Sequence, residues 1–234
     1  IWSLIDKNKV DHIDRVFITA SGGPFNNLDL KKFKSINKEQ ALKHPNWSMG
    51  KKITIDSATM MNKIFEIIEA KNIFNLKYKN LSIIVHPKSY VHAIVKFNNG
   101  LIKILLHDTN MTIPIFNSLY SNNEKKIKSK NLNIDILNNL NLQNIDKKKF
   151  PVIKILKFLP DELSLFETVI VSANDKLVDL FLKNKIHYLD ISRILLKIIR
   201  NKDFTKFKDI KPRNIKQINK INKDVHLKID SLSI

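Results

Sequence analysis

The residue types able to do chemistry gather in one stretch, HPNWSMGKKITIDSATMMNKIFE, from His44 to Glu66. On a helix of ~3.6 residues per turn, Met60, Met61, Ile64, Phe65, Ile67 and Ile68 form a broad apolar arc, while Thr59, Asn62, Lys63 and Glu66 fall on the other side. An ordinary solvated face with an i, i+3 Lys–Glu pair satisfies that pattern. So does an anion site: with Asp56 or Ser57 capping the helix, free backbone N–H groups and the positive dipole end attract an anion, and Asn62 and Lys63 reach it one turn along. A carboxylate one turn deeper, Glu66, makes sense beside a phosphate when a hard cation lies between them. Ser21-Gly22-Gly23, holding half of the four glycines, could add backbone donors.

The elements that must position these groups are readable in part. The apolar run Ile13 to Ala20 is a strand feeding the tight Ser21-Gly22-Gly23-Pro24 loop. Asn37 caps a short helix over Lys38 to Lys43, Pro45 turns the chain out toward Trp47, and KKITID reads as another strand. LSIIVH, YVHAIVKF and LIKILLH are three further strands, the last two joined by an Asn98-Asn99-Gly100 hairpin turn. Residues 119–150, rich in Asn and Lys, read as a linker, and from Pro151 onward apolar residues recur at helical spacing. The expected architecture is α+β: a mixed α/β catalytic sheet domain over 1–118, the linker, and a C-terminal helical bundle over 151–234.

Composition narrows the function class. The formal charge of +19 invites thoughts of nucleic acid, an anionic membrane or a phosphorylated substrate. The lysines are spread among Asn and Ile throughout, however, without interleaved aromatics or a recognition motif, so specific nucleic-acid binding is not expected. The absence of cysteine excludes disulfides, thiolate metal sites and cysteine nucleophiles. No apolar run reaches the roughly 18 residues of a membrane span, so a soluble chain is expected. Because the chain opens on Ile1, a further segment upstream is expected as well.

TASGGPF, HPNWSMGKKITIDSATMMNK, EIIEAKNIF and VHPKSYVHAIV, in that order over about residues 13–115, closely resemble the 1-deoxy-D-xylulose 5-phosphate reductoisomerase family. The resemblance implies an NADPH-dependent oxidoreductase and isomerase of non-mevalonate isoprenoid biosynthesis. It would use Mg²⁺ or Mn²⁺ to rearrange a phosphorylated sugar and deliver hydride, giving 2-C-methyl-D-erythritol 4-phosphate. It further implies that Ser21, His44, Ser57, Asn62, Lys63 and Glu66 bind substrate, with Glu66 also a metal ligand and Gly50 near the nicotinamide. Trp47, Met49 and Met111 would belong to a flap, and Glu66, Lys63, His44 and Trp47 would be the catalytic group. A homodimer in the complete enzyme, no membrane attachment, and a cytoplasmic or plastid-type location follow from the same likeness.

Departures from the family pattern carry equal weight. Neither Gly-x-Gly-x-x-Gly nor an Asp-Ser-Glu ahead of Ser21 is present, so the nucleotide domain and two metal ligands are missing and the chain alone is expected to be inactive. Ile64 stands where Gly is frequent, Thr109-Asn110-Met111 replaces Pro-Asp-Met, and Asn174-Asp175 replaces Asn-Glu. His86 and His92 flank a Pro-Lys-Ser turn and are expected in core or supporting roles, while His107 receives no role. The alternatives are a catalytically decayed scaffold and a non-specific basic nucleic-acid-binding module.

Overall fold

A computed structural model of the chain describes residues 1–5, 7–45, 48–120 and 125–232. Five strands form a mixed sheet: β1 (Ile13–Ala20), β2 (Leu81–Val85), β3 (Val91–Phe97), β4 (Ile102–Leu106) and β5 (Gln143–Asn144), in the order β4-β3-β1-β2-β5. β1 runs parallel to β2, with Val16 opposite Leu81, and antiparallel to β3, with Ile18 opposite Ala93. A parallel pair needs a long crossover, and here it holds α1 (Lys38–Ala41), α2 (Lys51–Thr59) and α3 (Met61–Phe74). β3 and β4 form the expected hairpin, whose turn closes with Gly100 N–H donating to Phe97 O at 3.0 Å and Gly100 at φ +86°.

After β4 come α4 (Thr112–Leu119) and α5 (Ile134–Asn138), then β5, which pairs with the outer side of β2. A 3-10 helix over Pro151–Lys157 leads into α6 (Leu165–Leu182), α7 (Tyr188–Ile198), α8 (Lys202–Thr205) and α9 (Ile215–Asp230). Ser164 starts α6 by accepting from Phe166 N–H at 3.2 Å, and Asn214 caps α9 through Gln217 N–H at 2.9 Å. The α+β class expected from the sequence is the one observed. Among the described residues no helix is long and apolar enough to cross a membrane.

The core decides how the elements sit. Met61 and Ile64 of α3 are fully buried in one apolar cluster with Ile155, Val169, Ile170, Leu177, Leu195 and Val225. Ile67, next along the same apolar arc, reaches a second cluster containing Val16, Ile18, Leu81, Val95 and Phe97. Burying each such side chain is worth ~1.5–3 kcal/mol, so α3 is wedged between sheet and helices and its polar face is held in a fixed direction.

One expected strand is a helix. KKITID alternates at period two and is rich in β-branched residues, yet it forms the first part of α2. Thr54, Ile55, Ala58 and Thr59 are buried along one helical face while Ile53 is 41% exposed. Gly50 caps the helix with extended backbone, and the Thr54 hydroxyl donates to Gly50 O at 2.8 Å. Packing of that face overrides a strand propensity that is itself strongly context-dependent.

Candidate active site

The break between α2 and α3 builds the first wall of the site. α2 stops because Met60 takes the left-handed conformation, φ 68°, and α3 restarts at Met61. The Thr59 hydroxyl donates to Ile55 O at 3.0 Å, and Met61 N–H in turn donates to that hydroxyl at 3.4 Å. Tyr188 O–H, buried among Phe25, Phe33 and Phe181, donates to Ala58 O at 2.7 Å. The carbonyls at the end of α2 are therefore satisfied, as a buried helix terminus requires.

This corner corrects the capping expected from the sequence. Ser57 lies in the last turn of α2, and α3 starts after it with Met60 at its cap position, so neither Asp56 nor Ser57 caps that helix. The polar face beyond the break does form as expected. Lys63 Nζ donates to both oxygens of Glu66 at 2.6 and 2.7 Å, and Asn62 Nδ2 donates to Glu66 Oε1 at 2.8 Å. The Lys63 side chain is 18% exposed and that of Glu66 32%.

The second wall is the turn after β1. Gly22 and Gly23 have φ +90° and +62°, conformations that side chains disfavour. A Cβ on Gly23 would stand 3.0 Å from Ser57 O, so this glycine lets the turn lie directly against the end of α2. Ser21 Oγ accepts from Gly23 N–H at 3.2 Å and lies 3.3 Å from His44 Nε2. Burial, and secondarily the Lys63 charge, holds the His44 imidazole below its ordinary pKa.

The third wall comes from β3 and its flanks. Thr19 O–H donates to Val91 O at 2.6 Å, tying the exit of β1 to the start of β3. Ser89, at φ 53°, closes the His86–Ser89 turn through Ser89 N–H to His86 O at 2.9 Å. His92 stacks on His107 with ring centroids 3.5 Å apart and planes 8° from parallel. Its Nε2 lies 3.2 Å from His107 O, a contact made by an N–H donor. Burial first, then the neighbouring His107, lowers the His92 pKa to about 4.

Together the walls enclose a cleft of 510 Å³. It brings together Ser21, His44, Met49, Ser57, Asn62, Lys63, Glu66 and Met111 from the sequence-derived set. Gly50 sits at the rim as the cap of α2, and Trp47 lies outside the described residues. Thr19, Ser89 and His92 also line the cleft, although the sequence had not marked the first two and had given His92 only a core or supporting role. The turn Pro-Lys-Ser after a strand was the available signal for Ser89, whereas Thr19 depends on long-range pairing. Chemically, one ammonium group, neutral imidazoles and several hydroxyls suit a phosphorylated, hydroxyl-bearing ligand. Glu66 offers oxygen to a hard cation. Among the described residues no group of three His, Cys, Asp or Glu side chains stands ready to hold a metal ion, so Glu66 supplies at most one ligand of such a centre.

Known proteins resemble this chain in sequence and in fold. Residues 1–74 match the model of the 1-deoxy-D-xylulose 5-phosphate reductoisomerase C-terminal domain, and residues 106–227 that of the DXP reductoisomerase C-terminal domain. The whole chain aligns at 68% identity with the 1-deoxy-D-xylulose 5-phosphate reductoisomerase of Pelagibacter ubique, spanning 60% of that protein's length. It superposes on the enzyme from Zymomonas mobilis in complex with NADPH with a TM-score of 0.85 at 28% identity, covering all of this chain and 60% of the other. A DOX-P reductoisomerase in complex with NADPH, fosmidomycin and magnesium gives 0.84 at 31% identity, covering 97% of this chain and 57% of the other. Matched by the family's C-terminal domain models over residues 1–74 and 106–227, the chain is a member of the 1-deoxy-D-xylulose 5-phosphate reductoisomerase family, corresponding to its C-terminal part.

Proposed function

We propose that this chain is the catalytic and C-terminal portion of an enzyme that converts 1-deoxy-D-xylulose 5-phosphate to 2-C-methyl-D-erythritol 4-phosphate with NADPH. The observation that carries the proposal is the convergence of Ser21, Ser57, Asn62, Lys63 and Glu66 on one cleft. In it, Ser21, Ser57, Asn62 and Lys63 hold the substrate phosphate and adjoining hydroxyls, the Lys63 ammonium supplying the strongest, charge-assisted contact. His44, neutral because it is buried beside Lys63, orients Ser21 and accepts or donates a hydrogen bond without adding charge. Met49 and Met111, both lining the cleft, exclude water as part of a flap that also includes Trp47.

The fit to the two cofactors is partial. Glu66 would offer carboxylate oxygen to Mg²⁺ or Mn²⁺, a cation that would polarise the substrate's carbonyl, but the described residues do not complete its coordination. Gly50, beside which a Cβ would meet nothing within 4 Å, leaves room for the nicotinamide without itself forming a phosphate cradle. Turnover is proposed to draw on the remaining part of the length over which the relatives extend, since the chain spans 60% of the Pelagibacter ubique protein. The organisation proposed is a catalytic part over 1–118, a connection over 119–150 and a helical part over 151–234, the first and last sharing the core around Ile64 and Leu177.

A homodimer is part of the proposal. β4 has no strand on its outer side among the described residues, and Leu101, Ile102 and Ile104 are 51%, 55% and 41% exposed. α4 buries none of its residues and leaves Ile115 and Leu119 51% and 70% exposed, a further apolar surface for a second copy. A cytoplasmic or plastid-type compartment is proposed, without membrane attachment. The test is NADPH oxidation by the complete protein: consumption dependent on both 1-deoxy-D-xylulose 5-phosphate and Mg²⁺ or Mn²⁺ is expected, and a folded protein showing none would overturn the proposal.

A further inference from the structure

We propose that Asp56 is a positioning residue: clamped by Lys52 and Asn174, it sets the rotation of α2 and hence the direction in which Ser57 faces the cleft. The inference rests on the assignment of Ser57 as a phosphate contact. Asp56 is 1% exposed, an uncommon fate for a carboxylate, and two partners grip it from different elements. Lys52 Nζ, one helical turn earlier, lies 2.8 Å from Oδ2, and Asn174 Nδ2 of α6 donates to Oδ1 at 2.7 Å. Lys52 is itself held by Asp175 at 3.0 Å and over the Phe65 ring at 4.9 Å.

The geometry links this clamp to the cleft. Successive helical residues are ~100° apart, so with Asp56 fixed against α6 the next side chain, Ser57, is fixed toward the cleft. Ser57 is in the last turn before the break at Met60, where a free helix end would otherwise fray. Ala58 O is pinned by Tyr188, and Gly23 packs against Ser57 O, but neither contact specifies rotation through a side chain of α2. A buried carboxylate held this way is a poor device for stability alone, since well-packed apolar residues serve as well, but it specifies geometry through directed bonds, here to a half-exposed Lys52 and a buried Asn174. Asp56 touches no substrate and acts through Ser57.

Three variants of the full chain, titrated with inorganic phosphate while the amide resonances of Ser57, Asn62 and Lys63 are followed, test this. Asp56→Ala and Asn174→Leu are expected to weaken phosphate binding about tenfold or more, the scale of one lost charge-assisted contact. Asp56→Asn is expected to stay within about twofold, because it keeps the shape and an acceptor, and brings an amide donor to Asn174 Oδ1, a buried atom without a partner. Thermal unfolding identifies the variants that remain folded, and rescue by Asn with failure of Ala separates orientation from mere stability. Wild-type phosphate affinity and shifts in a folded Asp56→Ala or Asn174→Leu, an Asp56→Asn as weak as Ala, or no binding by the wild type would each overturn the inference. Phosphate bound at these amides with the expected variant order, in a protein that does not turn over substrate, would support the clamp and remove only the enzymatic assignment.

Discussion

Gly23→Ala probes the contact on which the two serine-bearing walls depend. At φ +62° an alanine pays for left-handed backbone, about 1–2 kcal/mol. Its Cβ would also stand 3.0 Å from Ser57 O and 3.2 Å from Ala58 Cα. Relief to the ordinary separation of about 3.5 Å needs the turn to back away from α2 by roughly half an ångström, and such overpacking typically costs ~1–3 kcal/mol. The expected loss is therefore about 2–5 kcal/mol in all. Gly100→Ala is the control, because φ there is +86° but nothing lies within 4 Å, leaving only the backbone cost of ~1–2 kcal/mol. Urea unfolding should show a lower midpoint for Gly23→Ala than for Gly100→Ala at unchanged slope. Affinity for inorganic phosphate, measured by calorimetry, should fall only for the first. Equal destabilisation by the two alanines, with wild-type phosphate binding, would refute the idea that this close approach sets the Ser21 to Ser57 geometry.

Other outcomes follow from the same structure. Lys63→Ala and Asn62→Ala should raise KM for the phosphorylated substrate about tenfold or more with a smaller effect on kcat, since both face the phosphate side; steady-state kinetics showing unchanged KM would remove them from that role. Leu177→Ala, at a fully buried position of α6, should cost about 2–5 kcal/mol and, because the core is continuous, leave one cooperative transition by near- and far-UV circular dichroism. Two separate transitions would show that sheet and helices fold independently. His92 is held neutral, its pKa lowered from 6.5 to about 4 by burial and by His107, with Lys63 and His86 adding to the same direction. The unfolded chain thus binds the proton more readily, so this contribution is complete above about pH 6.5 and is lost as pH falls toward 4. Urea midpoints across that range should fall less steeply for His92→Gln, and an identical slope would contradict the assignment.

What was legible in the sequence followed the range of the interactions involved. Ile13 to Ala20, the Asn-Asn-Gly hairpin, and the long helices around Leu177, Ile194 and Val225 were readable because local period and turn chemistry agree with tertiary burial. α2 was not, because Ile53-Thr54-Ile55 satisfies a strand pattern and only the packing of Thr54, Ile55, Ala58 and Thr59 decides for helix. The break at Met60 was equally hidden, since a non-glycine residue at φ 68° is held there by surrounding contacts and not by its own preference. Asn62, Lys63 and Glu66 were found because they share one helix face. Thr19 and His92 reach the cleft through the pairing of β1 with β3, a partnership that neither segment announces by itself.

Glu66→Gln in the complete protein tests the central claim most directly, because it is nearly isosteric and removes one charge from the polar face lining the cleft. Kinetics at a series of Mg²⁺ and Mn²⁺ concentrations should show a large fall in kcat and a weakened metal dependence, with the fold intact by thermal unfolding. Wild-type kcat and metal dependence in the folded Glu66→Gln variant would contradict the account, leaving Glu66 a solvated partner of Lys63 and nothing more.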